Sequence, residues 1–357
     1  MNAPGFHALR IADARRETAE SITLAFGIPE PWRDAYRFTP GQYLTLRATI
    51  DGGDIRRSYS ICAGLDDAEL RVAIKILPGG RFSTWAARTL QVGDTIDVMT
   101  PMGRFGTGAL RDGKTYVALV AGSGITPVLS ILKTVLAREP RSRFYLFYGN
   151  RSVADIMFRA TLENLKDKYL ARLSVFHVLS REQQDVPALT GRLDAPRLRA
   201  LMPAMPAVAC IDQVFVCGPL AMIKDLPPAL CDIGIDPGHI QVERFTPAPD
   251  AAARPLTQVD ESASPRAIIR AIYAGRQLEF PVYGAEPLIA AAQRAGLDLP
   301  FSCQGGMCCT CRAKVLEGQV EMAVNYSLEP WEIAEGFVLT CQAQPTTAHV
   351  AVDYDAV

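Results

Sequence analysis

Phe301–Cys311 reads FSCQGGMCCTC, and together with a later cysteine it sets Cys303, Cys308, Cys311 and Cys341 in the order C-x4-C-x2-C and then a distant fourth Cys. This is the plant-type spacing for a [2Fe-2S] cluster. Thiolates are the soft ligands that iron–sulfur centres select. Gly305 and Gly306 let the backbone curl so that its amides can face anionic sulfurs. Zinc is the rival reading. A structural zinc site shows paired C-x2-C half-sites or Cys/His pairs, and here one C-x2-C stands alone with no His beside it. Cys309 breaks the spacing and is expected to be a bystander. A cluster of this kind takes one electron at a time, so the rest of the chain has to supply single electrons.

At 357 residues the chain is too long for one core and suits two or three domains. Its 49% apolar and 21% charged content is ordinary for a globular protein. The first twenty residues hold Arg10, Asp13, Arg15, Arg16, Glu17 and Glu20 and no apolar core, so no signal peptide is expected. No uncharged apolar run reaches membrane-spanning length, and no membrane association is expected. Nine cysteines, an odd number with a cluster loop among them, argue for a reducing cytoplasm rather than a disulfide framework. A net charge of −1 and only four His argue against nucleic-acid binding. The charge is uneven, since residues 266–357 hold 6 Lys and Arg against 10 Asp and Glu. Either an acidic module docks on a basic body or the charge is plain surface scatter.

Working outward, Thr246–Pro265 is Pro/Ala-rich and without apolar period, which reads as a linker. Residues 1–108 alternate in strand fashion at Ser21–Ile28, Gln42–Ala48, Asp54–Cys62 and Glu69–Leu77, between Gly/Pro turns, and predict a small antiparallel barrel. Residues 109–245 change texture. Apolar runs at Tyr116–Ala121, Phe144–Tyr148, Leu173–Leu179 and Val214–Cys217 alternate with helical periods such as Pro127–Arg138, which predicts a parallel sheet with crossover helices. Pro227–Pro228 should interrupt a helix over Met222–Cys231. Residues 266–357 form a compact block around the cysteine loop.

Four motifs could carry chemistry. Gly122–Pro127, GSGITP, follows an apolar strand and opens a helix, with Pro127 at the first helical position. Such a corner lets a pyrophosphate approach the backbone at a helix N-terminus; the bland reading is a plain strand–helix turn. Arg57–Ser60, RSYS, offers a guanidinium for phosphate, a ring to stack and a hydroxyl to bond a ring nitrogen. Gly80–Ser83, GRFS, opens a short helix; each of these alone reads as a half-exposed strand or a routine cap. Cys217–Pro219 ends the last apolar strand, where parallel sheets place ligand contacts, though a buried structural Cys would look the same.

In this order, RSYS, G-x-x-S, GSGITP and CGP resemble the ferredoxin–NADP reductase superfamily across residues 1–245. The fused cluster module resembles the reductase components of bacterial oxygenases. GRFSTW, AGSGITP, YGNR, VCGP, ERF and NYSLEPWEIAEGFVLTCQA look most like the reductase subunits of phenylacetyl-CoA epoxidases. The resemblance implies a multidomain fold: an antiparallel β-barrel for FAD, an α/β parallel-sheet nucleotide domain and an α+β, β-grasp-like ferredoxin domain. It implies FAD at Arg57, Tyr59 and Ser60, with Ser60 near the flavin N5 and Gly80–Ser83 on the pyrophosphate. It implies NADPH at Gly122, Gly124, Thr126 and Pro127, with Cys217 and Gly218 near the hydride-donating carbon and Phe245 over the flavin. Ser180 and Arg181, with Arg151, would read the 2′-phosphate; a solvated loop is the alternative there.

Electron arithmetic then orders the parts. A nicotinamide gives two electrons together and the cluster takes one, so a flavin must stand between them. No E-x-x-H pairs that would hold a di-iron centre occur here, so oxygenation is expected on a separate di-iron oxygenase. Reductases of steroid-ring hydroxylases, of other CoA-thioester epoxidases or of Rieske-type systems stay open, as does a redox carrier or sensor with a vestigial nucleotide site.

Overall fold

A computed structural model describes residues 5–245 and 259–356; the part of the expected linker at 246–258 lies outside the described residues. Two compact units emerge, one of residues 8–54 and 59–245, the other around 259–356 with the short segments 5–7 and 55–58 grouped to it.

The first sheet holds β1 (Phe6–Thr18), β2 (Ser21–Gly27), β3 (Tyr43–Ile50), β4 (Gly53–Ser60), β5 (Leu70–Lys75) and β6 (Thr95–Met99), in the order β4-β3-β6-β1-β2-β5. The pairs β1–β2, β2–β5 and β3–β6 are antiparallel. A bridge from Ile61, just past β4, to Val72 on β5 joins the two outer strands and curls the sheet toward a barrel. Helix α1 (Arg81–Thr89) crosses between β5 and β6, burying Phe82, Ser83 and Ala86. Sequence reading missed β1 and β6. In β1 only Leu9 and Ile11 are fully buried, and Arg10, Asp13, Arg15, Arg16 and Glu17 crowd the rest, so the period of two spans only Ala8–Ala12, too short to mark a 13-residue strand.

The second sheet is wholly parallel: β7 (Thr115–Ala121), β8 (Arg143–Asn150), β9 (Leu173–Leu179), β10 (Gln213–Gly218) and β11 (Ile240–Arg244), in the order β11-β10-β7-β8-β9. Helices α2 (Ile125–Arg138), α3 (Arg159–Lys168), α4 (Ala195–Leu201) and α5 (Leu220–Asp232) link the strands. The chain runs outward one way from β7 through β9 and the other way through β10 and β11. The switch point therefore falls between β7 and β10, where such sheets open a crevice. Helix α2 begins at Ile125, two residues before the expected start, so Pro127 is its third residue. The cost is small, because first-turn N–H groups have no helical partner.

The Pro227–Pro228 pair does not interrupt α5, which runs through both. Met222, Ile223, Leu226, Ala229 and Leu230 give the helix a continuous buried stripe. The missing N–H groups leave the carbonyls of Ile223 and Lys224 without helical donors, and Lys224 and Pro228 lie on the exposed side where water can serve. Burial of the stripe outweighs two lost bonds.

The second unit contains β12 (Ala267–Tyr273), β13 (Arg276–Val282), α6 (Leu288–Arg294), β14 (Arg312–Glu317), β15 (Val320–Met322), α7 (Pro330–Ala334), β16 (Phe337–Leu339), β17 (Ala343–Pro345) and β18 (His349–Asp353). Its main sheet runs β13-β12-β18-β14-β16. The first and last strands, β12 and β18, pair in parallel while β12–β13, β14–β16 and β14–β18 are antiparallel. With α6 against it, this is a β-grasp arrangement around a core of Ile269, Phe280, Leu288, Leu299, Leu339 and Val352.

Candidate functional site

The cysteine loop leaves α6 and enters β14, so Cys303 and Cys308 lie on irregular backbone, Cys311 immediately precedes β14 and Cys341 follows β16. Gln304, Gly306 and Cys309 adopt left-handed φ values of 50°, 75° and 54°. These reversals aim the amides inward: Gly305 and Met307 N–H groups both donate to Cys303 Sγ at 3.4 Å, and Cys303 N–H donates to Cys308 Sγ at 3.5 Å. Gln342 Nε2 ties Cys341 Sγ at 3.7 Å to the Gln304 carbonyl at 2.8 Å.

The thiols fall into two hydrogen-bonded pairs, Cys303 with Cys308 and Cys311 with Cys341. The bond from Cys308 and then the amides of Gly305, Met307 and Cys308 lower the Cys303 thiol to about 6, despite burial. Cys308 is pushed well up by sharing its proton with Cys303 and by burial. Two thiol pairs with backbone amides turned toward them are a donor set that two irons would accept. Cys309 is turned elsewhere: its left-handed backbone aims its thiol at Ser327 Oγ, 3.1 Å away, and burial raises it to about 11.

On β4, strand alternation puts Arg57 and Tyr59 on one face and Ser60 on the other. Arg57 is exposed and its Nη1 donates to the Arg56 carbonyl at 2.7 Å, while Ser60 is buried. Tyr59 sits 5.8 Å from the Phe82 ring of α1. Gly80 caps α1, and a Cβ there would fall 2.5 Å from Ser83 Oγ. Ser83 Oγ itself accepts from Leu77 N–H at 3.1 Å, so this hydroxyl closes the turn that presents the helix start.

At the switch point, a Cβ on Gly124 would lie 2.2 Å from the Cys217 carbonyl; only glycine lets the β7 loop approach β10 so closely. Gly122 has φ +55° and its carbonyl accepts from Tyr148 Oη at 3.0 Å. Thr126 Oγ1 donates to the Ser123 carbonyl at 3.0 Å, and Pro127 follows in the first turn of α2. Gly218 is held against Met222 and Ala121, and Cys217 is fully buried beside Glu243, its register partner on β11. Burial first, and then the nearby Glu243 charge, push the Cys217 thiol up. Glu243 shares a hydrogen bond with Ser60, so the barrel and the parallel sheet meet in one constellation of Ser60, Cys217 and Glu243. Burial lifts the Glu243 carboxyl to about 8, and its Oε2 is buried with no hydrogen-bond partner.

Sequence reasoning missed Glu243 and Lys75. The ERF motif contained Glu243, but only Phe245, now 39% exposed just past β11, was drawn from it. Lys75 ends β5, and its Nζ lies 3.4 Å from where a Gly122 Cβ would stand, a cation beside the dinucleotide loop. Ser180 and Arg181 are exposed after β9, and their backbone N–H groups donate to the carbonyls of Asn150, at the end of β8, and Arg151, just past it, at 2.9 and 2.8 Å. The Arg151 guanidinium is bound by Asp155 and Glu20, both at 2.5 Å, which raise its affinity for its proton. Two carboxylates already neutralise it, so of these two arginines Arg181 is the one whose side chain stays exposed.

Comparison with known proteins agrees with each block. Residues 8–106 match the family described as oxidoreductase FAD-binding domain, residues 119–227 the oxidoreductase NAD-binding domain, and residues 272–346 the 2Fe-2S iron-sulfur cluster binding domain. The chain is 44% identical over 354 residues, 98% of each protein, to a subunit of the 1,2-phenylacetyl-CoA epoxidase of Escherichia coli (strain K12). It is 32% identical, over 97% of this chain and 96% of the other, to the ferredoxin reductase component of 3-ketosteroid-9-alpha-monooxygenase from Rhodococcus rhodochrous. Phthalate dioxygenase reductase shares the fold over 98% of both chains, with a TM-score of 0.58 at 20% identity.

Proposed function

Because this chain belongs to the ferredoxin–NADP reductase-type family that includes the FAD- and [2Fe-2S]-containing reductase components of oxygenases, we propose that it takes its electrons from NADPH and delivers them to a di-iron oxygenase of the phenylacetyl-CoA epoxidase kind. The observation that carries the partner is the 44% identity over 98% of both chains. Identity to the steroid-monooxygenase reductase is 32% over a similar span, which makes that class of partner the runner-up.

The chain is an NAD(P)H-dependent flavin and iron–sulfur oxidoreductase. A bound flavin would supply the conversion between the two-electron chemistry of a nicotinamide and the one-electron chemistry of the cluster. Each block of residues then has a task. Arg57 and Tyr59 hold the flavin from one face of β4, and the start of α1 at Gly80 and Ser83 receives its pyrophosphate. Gly122, Gly124, Thr126 and Pro127 receive the nicotinamide nucleotide, with Lys75 countering its phosphates. Ser60 and Cys217 flank the reacting rings, and Gly218 leaves room for them. Glu243 keeps its proton near neutral pH and holds the Ser60 hydroxyl in place. Phe245 would lie over the flavin face that the nicotinamide approaches. Ser180 and Arg181 read the 2′-phosphate. Cys303, Cys308, Cys311 and Cys341 hold the cluster. We place the domain boundaries at 1–108, 109–245 and 266–357.

The test is to mix the purified protein with reconstituted phenylacetyl-CoA epoxidase and follow loss of the thioester under NADPH. Steady consumption, absent without the reductase, is expected. No turnover with that oxygenase, alongside active reduction of ferricyanide, would overturn the choice of partner and leave the reductase itself standing.

A further inference from the structure

One side chain outside the four cysteines reaches both ends of their arrangement. Gln342 directly follows Cys341, and its Nε2 donates to the Gln304 carbonyl at 2.8 Å and to Cys341 Sγ at 3.7 Å. A carboxamide nitrogen carries two N–H groups, so it serves both acceptors at once. The Gln304 carbonyl fixes which end of the amide is nitrogen, because an amide oxygen there would face another oxygen.

The backbone prepares this reach. Gln342 N–H donates to the Leu339 carbonyl at 2.8 Å, and the Gln342 carbonyl accepts from Ala323 N–H at 3.1 Å. The stem of the side chain then passes over Gly306, where a Cβ would lie 3.3 Å from Gln342 Cγ. Gly306 has φ +75°, and its own N–H also turns to the Cys341 sulfur. Asparagine would be one methylene shorter. Glutamate would set a carboxylate against a carbonyl and a thiolate. Gln344, the next glutamine along the chain, instead commits its Nε2 to the Ala285 carbonyl at 2.6 Å.

Holding the loop needs only the bond to Gln304. The second N–H lies on a sulfur expected to bind iron, and Cys341 is 6% exposed, so little water can replace a lost donor. Reduction adds one negative charge to a cluster, and hydrogen bonds to its sulfurs stabilise that more negative state over the oxidised one. We propose that Gln342 tunes the cluster: its amide raises the reduction potential and makes the cluster a better electron acceptor within the chain. Gln342 acts through Cys341 and is a positioning and tuning residue. The inference rests on the reading above that Cys341 holds the cluster, and the iron content of a Cys341→Ser variant tests that reading separately.

The experiment uses full-length holoprotein carrying Gln342→Met or Gln342→Leu, which remove both donors, with Gln344→Met as the control. Iron and acid-labile sulfide per chain are measured first. The cluster potential is then read by anaerobic titration with dithionite and redox mediators, followed by electron paramagnetic resonance of the reduced cluster. Both Gln342 variants are expected to keep two irons and to become up to about tenfold harder to reduce, which is about 59 mV for a one-electron couple. The flavin potential and the Gln344→Met cluster should stay at wild-type values. An unchanged or raised cluster potential in the Gln342 variants would overturn the proposal. So would loss of iron from both, because Gln342 would then be a strut of the loop and not a tuning group. If one variant alone keeps its cluster, its potential decides by the same rule.

Discussion

Glu243 combines a fixed strand register with a buried carboxyl, and its titration has a readable sign. Its folded value is raised from 4.5 to about 8, so between those limits the folded chain holds a proton that the unfolded chain releases. Stability then falls as pH rises through that window and levels off above it. At about 1.4 kcal/mol per unit of pKa, the effect amounts to a few kcal/mol at most. Glu243→Gln should match the wild type in urea unfolding near pH 5 and exceed it by roughly 1–3 kcal/mol at pH 8.5; a pH-independent difference would remove Glu243 from this role. Arg181 supports a second prediction. A charge-assisted contact to phosphate is worth roughly 1.5–3 kcal/mol, or about ten- to a hundredfold. Arg181→Ala should raise the KM for NADPH by that factor and leave NADH nearly untouched, whereas equal losses with both would show that this loop does not read the 2′-phosphate. Cys341→Ser should lose the cluster while keeping flavin, measured as iron per chain, because Cys309 is committed to Ser327 and cannot take its place.

Elements explain which of these residues could be read in advance. The cysteine spacing and the GSGITP corner were legible because each is largely local: three of the four cysteines, Cys303, Cys308 and Cys311, and the whole turn lie within a few residues of one another, and only Cys341 is distant. The Glu243–Ser60 contact was not, because it joins β11 to the end of β4, far apart in sequence and with no shared period. Helix α5 shows the same limit from the other side. Local rules predict a break at Pro227–Pro228, and the buried stripe overrides them. Pro228→Ala should therefore stabilise the protein by roughly 1–3 kcal/mol, since it restores a helical N–H at an exposed position; a lower unfolding midpoint would mean that the proline ring is needed there. Gly124→Ala should do the opposite. Its new methyl would meet the Cys217 backbone at 2.2 Å, so nucleotide-driven flavin reduction is expected to fail while the barrel keeps its flavin.

At the scale of the whole molecule, the flavin and nucleotide sheets share one compact unit, and the cores of the parallel sheet draw on residues between Cys62 and Val242 alone. Removing residues 250–357 should leave a folded flavoprotein that reduces ferricyanide with NADPH but drives no oxygenase. Turnover of the oxygenase close to that of the full chain would dismiss the cluster as the exit. The sequence by itself determined the cofactor set and the order of the blocks, because cluster ligands, glycine corners and apolar periods are short-range patterns whose chemistry does not depend on distant partners. Only the tertiary structure decided that Ser60, Cys217 and Glu243 meet at the switch point. It also decided that Arg151 is held by Glu20 and Asp155. Each of those depends on burial and on which strands become neighbours, and a linear chain carries no local signal for either.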